Sequence, residues 1–462
     1  MKTILASLFF GFVSARHDLT PIDNLLNSFD KYYDHLPILD DAWANSMDPV
    51  GMQRLADRMK KKKFVVGVIG SSVAAGHDNC NYDSYEKQLE RTLQPIFQFY
   101  GKEIEVRNAG EGGGCGDSYR NQIWCIRNMV GDDVDAIHYS WSYFEAGDRE
   151  IAKWHEMFTR WALLLPNAPV PLIVNVGEGI GKNDHLYKHY KQFGYNTIFL
   201  QKGLKKSFPN YKKEWGVIGD GMHNSTRYGG EGVMFRNWHP GPLGFQLLAD
   251  SIAKVYVKAL KLSLQQESLF HMTKLLSQAD FPDPVFCDPK WCASEEPPGC
   301  VNFEHPTFGT PQIKIVTPET DDLMPYSTLY SEHTKDWEYS MDGLSRLIPR
   351  ADRSKKECQH ADHCAGYLSR PDSWTTFRLP RMTKGQIFVC CTNGKKCGSK
   401  MLDFEFVLDG HRIDSHTIKE QFGKCLQLLD GFHQDMQDSS GHLYLAVKGG
   451  EEQVRISHVM TL

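Results

Sequence analysis

Residues 64 to 260 alternate between short apolar runs rich in β-branched residues and longer runs with helical spacing. Phe64 to Ile69 is apolar almost throughout, the mark of a strand buried on both faces. Tyr85, Leu89, Leu93 and Ile96 then recur at helical spacing, with Asp83 or Ser84 placed to cap the N-terminus. Ile104 to Val106 reads as a second strand, and Tyr119, Ile123 and Ile126 mark the next helix. Ala136 to Trp141 is a third strand, followed by a helix carrying Ile151, Trp154, Phe158, Trp161 and Leu165. Leu172 to Val176 is a fourth strand. Phe245 to Leu260 is a closing helix with Leu248, Ile252, Val255 and Ala259 on one face. This alternation predicts an α/β domain, a parallel sheet with helices on both faces, whose ligands bind at the carboxyl ends of the strands.

The period changes after about Gln266. Pro282, Pro284, Pro289, Pro297 and Pro298 punctuate a cysteine-bearing linker over 266–300. Beyond it, runs of period two dominate: Gln312 to Val316, Thr375 to Leu379, Gln386 to Cys390, Leu402 to Leu408, Leu443 to Val447 and Gln453 to His458. Asn393-Gly394, Asp409-Gly410 and Gly449-Gly450 supply turns between several of them. Residues 301–462 are therefore expected to form an antiparallel β-rich accessory domain, a sandwich stapled by disulfides. The α/β domain is expected over 64–265, behind a lead-in at 16–63.

Composition changes this picture little. The chain has 462 residues, 41% of them hydrophobic and 24% charged, with a formal net charge of −5. Two domains of ordinary globular composition fit that length. The charge balance gives no reason to expect nucleic acid as a partner, and the run Lys60 to Lys63 reads as a solvated approach to the first strand. The N-terminus reads as a signal peptide over 1–15: Lys2, then the apolar stretch Ile4 to Phe12, then the small-residue site Val13-Ser14-Ala15. That stretch is too short to span a bilayer, and no later one is long enough. A secreted protein without a membrane span is expected.

The 12 cysteines suit an oxidising compartment. Cys80, Cys115 and Cys125 precede the linker and nine follow from Cys287 on, so full pairing needs a bridge between the halves or leaves a free thiol in each. Cys358, His360, His363 and Cys364 have the look of a zinc cluster, but a short-loop disulfide suits this compartment better. Cys390 and Cys391 lie in a strand, where neighbours face opposite sides, and should pair with different partners. Asn224-Ser225-Thr226 is a glycosylation sequon.

The sharpest chemical feature is Gly70-Ser71-Ser72-Val73-Ala74-Ala75-Gly76, directly after the first strand. A serine at such a strand-to-helix turn presents its hydroxyl at the active edge of the sheet, beside backbone N–H groups; as plain capping residues Ser71 and Ser72 would need no further role. Asn108-Ala109-Gly110 ends the second strand and runs into the glycine-rich Glu111 to Gly116, and His239-Pro240 precedes Gly244 and the closing helix. A Gly-x-Ser turn, an Asn-x-Gly glycine loop and a late His-Pro, in that order, resemble the SGNH, or GDSL-like, hydrolases over roughly residues 64–260. The resemblance implies a flavodoxin-like three-layer sandwich and esterase, lipase or carbohydrate-deacetylase activity without metal or organic cofactor. It implies Ser72 as nucleophile, His239 as general base, and the Ser72 N–H with Gly113 or Gly116 as oxyanion donors. Ser118, in a literal Gly-Asp-Ser after the second strand, reads as a helix cap.

Two positions depart from the family pattern. Where it has Gly-x-Asn-Asp after the third strand, this chain has Ser142-Tyr143-Phe144-Glu145. A literal Gly181-Lys182-Asn183-Asp184 follows the fourth strand instead, making Asn183 a candidate for the oxyanion hole. Three residues before His239, where the family has an aspartate, stands Arg236. Upstream, Asp220-Gly221-Met222-His223 has the family's spacing, so Asp220 orients His239, or His223 is the base, or the pair works as a dyad. Trp141, Tyr143 and Phe144 would form a stacking platform for a sugar ring, or simply core. The expectation is a secreted serine ester hydrolase acting on acyl esters of a polysaccharide or glycan. The alternatives are an O-acyltransferase and a non-catalytic carbohydrate-binding protein that kept the fold.

Overall fold

The computed structural model describes residues 38–76, 84–110, 119–140, 148–177, 183–207, 209–210, 234–236, 239–265, 275–293, 299–302, 337–343, 363–379, 385–391, 397–421, 424–431 and 443–461. The apolar run after Lys62 forms β1 (Lys63–Gly70), with every residue after Lys63 buried. It lies between β2 (Glu103–Gly110) and β3 (Ala136–Ser140), parallel to both. With β4 (Val170–Asn175) and β5 (Asn196–Phe199) the sheet has five strands in the order β2-β1-β3-β4-β5. That is the flavodoxin-like order, whose crevice opens at the carboxyl ends of β1 and β3.

Nine helices of the described residues surround or abut this sheet: α1 (Ile38–Asp41), α2 (Pro49–Met59), α3 (Tyr85–Phe99), α4 (Tyr119–Trp124), α5 (Ile126–Val130), α6 (Asp148–Leu163), α7 (Asn183–Tyr190), α8 (Leu200–Ser207) and α9 (Pro242–Gln265). The helix expected from Tyr119 onward is two short ones that meet at Cys125. The lead-in is structured: α2 starts on an Asp48 cap with Pro49 in its first turn. Between α1 and α2 the chain runs antiparallel to the edge strand β5, with Ala44 N–H donating to Thr197 O (2.8 Å) and Phe199 N–H to Ala42 O (2.7 Å). An edge that would otherwise expose unpaired backbone groups is thereby covered.

Among the described residues the β-rich part contains two antiparallel sheets. The larger has the path β15 (Lys419–Gln421), β16 (Cys425–Asp430), β12 (Gln386–Cys391), β18 (Arg455–Thr461), β10 (His363–Leu368), β9 (Glu338–Gly343), with β8 (Gly299–Asn302) also on β18. The smaller runs β11 (Trp374–Leu379), β17 (Leu443–Lys448), β13 (Glu405–Leu408), β14 (His411–Arg412). Phe377, Leu379, Phe406, Leu408, Leu445 and Val447 from one meet Ile387, Val389, Leu426, Leu428 and Ile456 from the other in one core. This is a sandwich. Asp409 (φ 45°) and Gly410 (φ 82°) form the two-residue turn between β13 and β14, both in the left-handed region that such a hairpin requires.

Strand β12 is buried on both faces, and its alternation divides it between two cores. Ile387, Val389 and Cys391 point into the sandwich. Phe388 and Cys390 point the other way, into a cluster with Trp124, Ile126, Met129 and Phe158 of the α/β part. Phe388 packs edge-on against Trp124, with ring centroids 5.5 Å apart, and Trp291 stands 5.3 Å from Trp124. The disulfides follow the same alternation: Cys390 pairs with Cys425 and Cys391 with Cys397.

The proline-punctuated segment is strapped to α6. Glu156, fully buried, accepts backbone N–H groups from Val285 (2.8 Å), Phe286 (2.6 Å) and Cys287 (2.8 Å). One turn on, Arg160 donates to Pro282 O (2.7 Å) and Cys292 O (3.1 Å), and also to Gln278 and Tyr190. Cys287–Cys292 closes the strap around the short α10 (Pro289–Cys292). Charge-assisted bonds to both backbone polarities hold a segment that has few regular backbone bonds of its own.

Candidate active site

Gly70 brings β1 close to β3: a Cβ there would collide with Ser140 O, and Ser71 N–H donates to that same oxygen at 2.8 Å. The chain then turns through 71–76 at the carboxyl end of the sheet, carrying Ser72. From the end of the α/β part, β6 (Phe235–Arg236) and β7 (His239–Pro240) pair as a small ribbon leading into α9. Gly244 lets this ribbon sit on the helix, because a Cβ there would collide with Met234 O. The ribbon sets His239 against the turn. Ser72 Oγ lies 2.8 Å from His239 Nε2. Both residues are almost wholly buried, at 1% and 2% exposure, so the hydroxyl is packed rather than open as the turn alone suggested.

This domain has an SGNH-like fold. The five-stranded parallel order fits it, as do the serine after β1 and the histidine before the closing helix.

Behind the serine turn stands a set of polar side chains, of which the motifs singled out Asn108 but neither Gln122 nor Glu86. Gln122 of α4 donates to Gly70 O (2.9 Å) and Ala109 O (3.3 Å), tying together the ends of β1 and β2. Asn108 donates to Ala74 O (2.8 Å) and to Glu86 Oε1, and its own Oδ1 accepts from Gly110 N–H (2.7 Å). Burial pushes the Glu86 carboxyl up to about 7, against the pull of Ser84, its own backbone N–H, Lys87 and Asn108. Asn108 was legible as an Asn-x-Gly turn residue; a glutamate in the first turn of a helix carries no such signal.

His138 shows what a structural histidine looks like here. It is fully buried on β3, with Nε2 2.7 Å from Tyr256 Oη, and burial pulls its pKa down to about 3. Asn175, at the end of β4, spends its Oδ1 on Gly177 N–H (2.7 Å). Asn183 is the first residue of α7. Gly113, Gly116, Ser118, Trp141, Tyr143, Phe144, Asp220, His223 and the sequon at Asn224 lie outside the described residues, as does the signal segment.

No family model and no curated protein matches the chain. Among solved structures it is similar to a two-domain esterase (CEX) active on acetylated mannans, with 12% identity over 92% of this chain and 98% of that one, TM-score 0.45. It is also similar to a putative lipolytic protein of the G-D-S-L family from Desulfitobacterium hafniense DCB-2 (15% identity, 42% of this chain, 99% of that one, TM-score 0.25). A third is a tail fiber protein from an E. coli phage (10% identity, 90% and 49%, TM-score 0.30). With TM-scores this low, the resemblance to SGNH hydrolases rests on the chain's own sheet order and motif positions.

Proposed function

We propose that the chain is a secreted serine ester hydrolase acting on acyl esters of carbohydrates, acetyl esters among them, through an acyl-serine intermediate. The observation that carries this reading is the 2.8 Å contact between Ser72 Oγ and His239 Nε2 at the carboxyl end of the parallel sheet. With the neutral imidazole protonated on Nδ1, the serine hydroxyl donates to Nε2. As Oγ attacks the acyl carbonyl, His239 takes its proton, and the imidazolium then returns it to the departing sugar oxygen, which leaves as a hydroxyl. Water, activated by the same histidine, releases the acid and restores the serine. A sugar hydroxyl in place of that water would make the enzyme an O-acyltransferase.

On this reading the Ser72 N–H and Gly113 or Gly116 stabilise the oxyanion, with Asn183 a further candidate. Asp220 orients His239, and Tyr143 and Phe144 hold the sugar. Carbohydrate esters are one of the substrate classes that the family resemblance implies. The N-terminal pattern and the disulfides, which persist in oxidising compartments, support secretion. No helix among the described residues is long and apolar enough to cross a membrane.

The test is a serine-reactive phosphonate probe together with hydrolysis of a small aryl acetate and an acetylated polysaccharide. Labelling at Ser72, with hydrolysis lost in Ser72→Ala, is the expected result. Folded protein that neither labels nor hydrolyses, yet binds the polysaccharide, would make the chain a non-catalytic binder.

A further inference from the structure

We infer that Glu86, acting through Asn108, is a positioning residue for the nucleophile: it fixes where the Ser72 turn stands relative to the end of β2. The kinetic half of this inference rests on the esterase reading above; the structural half does not.

The geometry leaves little choice. Asn108 offers two N–H donors and one carbonyl, and all are committed: one donor on Ala74 O, one on Glu86 Oε1, the carbonyl on Gly110 N–H. Ala74 is two residues past Ser72 in the turn, and Gly110 opens the glycine loop expected to hold the oxyanion. One amide thus joins the nucleophile's turn to the end of β2. Its orientation is set by the acceptor on the far side, and Glu86, fully buried at the start of α3, is that acceptor.

Packing makes this spacing tight. A Cβ at Gly110 would lie 2.5 Å from Ala75 N, and a Cβ at Gly76 would lie 2.8 Å from Ser84 Cβ. The turn therefore rests directly on β2 and on the entry to α3, with glycine at both contacts. A change in the Asn108 amide passes straight to the backbone of the turn. The carboxyl is poised near neutrality by burial, yet its neutral and charged forms both accept from Asn108, so glutamine is a faithful substitute for this task. A residue acting as nucleophile, acid or base would not be replaceable in that way.

The experiment compares Glu86→Gln with Glu86→Leu in the full chain, measuring kcat and KM for an aryl acetate and amide exchange across residues 73–76 and 110. Glu86→Gln is expected to keep kcat within about threefold. Glu86→Leu, which removes the acceptor at similar volume, is expected to lose roughly ten- to a hundredfold in kcat at unchanged KM, as for a catalytic group displaced by a fraction of an ångström. Amides of the turn should exchange at least about tenfold faster in Glu86→Leu alone. If Glu86→Leu does not fold, Glu86→Ala, which leaves room for solvent, is read against the same expectations. Wild-type kcat and exchange in the leucine or alanine variant overturns the inference, as does a glutamine variant that falls equally far. A wild-type protein without hydrolysis overturns the esterase reading instead, and turn exchange then decides this inference.

Discussion

Truncating Phe388 tests whether the α/β part and the sandwich share one core. The side chain is 2% exposed and sits on the face of β12 that leaves the sandwich. Its ring meets Trp124 at 5.5 Å and Trp291 at 6.2 Å, so Phe388→Ala removes two aromatic contacts and opens a cavity where α4, the strap and β12 converge. A buried Phe→Ala change costs about 3–5 kcal/mol in transfer and cavity terms, and each aromatic pair adds about 0.5–1.5 kcal/mol beyond area. Against a typical total near 5–15 kcal/mol this is a large loss. Ile387→Val, one residue away but facing the sandwich, is the control and should cost about 0.5–1.5 kcal/mol. Urea unfolding followed by far-UV circular dichroism and tryptophan fluorescence supplies both values where the two probes coincide. A double-mutant cycle with Trp124→Ala should return a coupling of at least about 0.5 kcal/mol. A Phe388→Ala cost below about 1 kcal/mol, or no coupling to Trp124, would refute a shared core.

Three further outcomes are expected. His239→Ala should lose as much ester hydrolysis as Ser72→Ala, since the pair acts as a unit, while His223→Ala keeps most of it; the reverse ranking in a rate assay moves the base to His223. Burial holds the Glu86 carboxyl up near 7 from its ordinary 4.5, so the folded chain keeps a proton that the unfolded chain releases. Its contribution is intact below about pH 4.5 and lost as pH rises to about 7; Glu86→Gln should gain on wild type over that window by on the order of 3 kcal/mol, and a constant difference in urea midpoints from about pH 5 to 8 contradicts this. Cys125 is disulfide-bonded and immediately precedes α5, which packs against β8, the strand carrying Cys300. Non-reducing peptide mapping should join Cys125 to Cys300, and a Cys80 or Cys115 partner for Cys125 would exclude that bridge.

The α/β sheet was legible because its strands are apolar on both faces and its helices amphipathic, so β1, β3 and β4 stand close to where their runs lie. β5 (Asn196–Phe199) escaped notice because it is only four residues long and opens on Asn196 and Thr197. The antiparallel strands were harder to read. Leu402 to Leu408 looks like one run, but Ser399–Met401 is a 3-10 turn, and only Glu405–Leu408 pairs. Gln386 to Cys390 counts among the period-two runs, yet β12 is buried on both faces because it serves two cores, which no alternating pattern announces. At the site, Ser72 and His239 were found from motif order, whereas their contact, 167 positions apart in sequence, required the fold. Glu86 and Gln122 were invisible because their role is to satisfy backbone and amide groups that only the folded chain brings near.

The strap on α6 settles how far the two parts of the chain can travel. A proline-rich connector is ordinarily a tether whose reach grows with its length. Here the amides of Val285, Phe286 and Cys287 and the carbonyls of Pro282 and Cys292 are spent on Glu156 and Arg160, side chains one helical turn apart on α6. The part of the connector held in this way, residues 282–292, adds no free length of its own. If the chain is the carbohydrate esterase proposed above, any glycan surface on the β-sandwich would then lie at a constant distance from Ser72, like a stop on a cutting bench, and which sugar along a polymer is presented for deacylation would be a matter of ruler length.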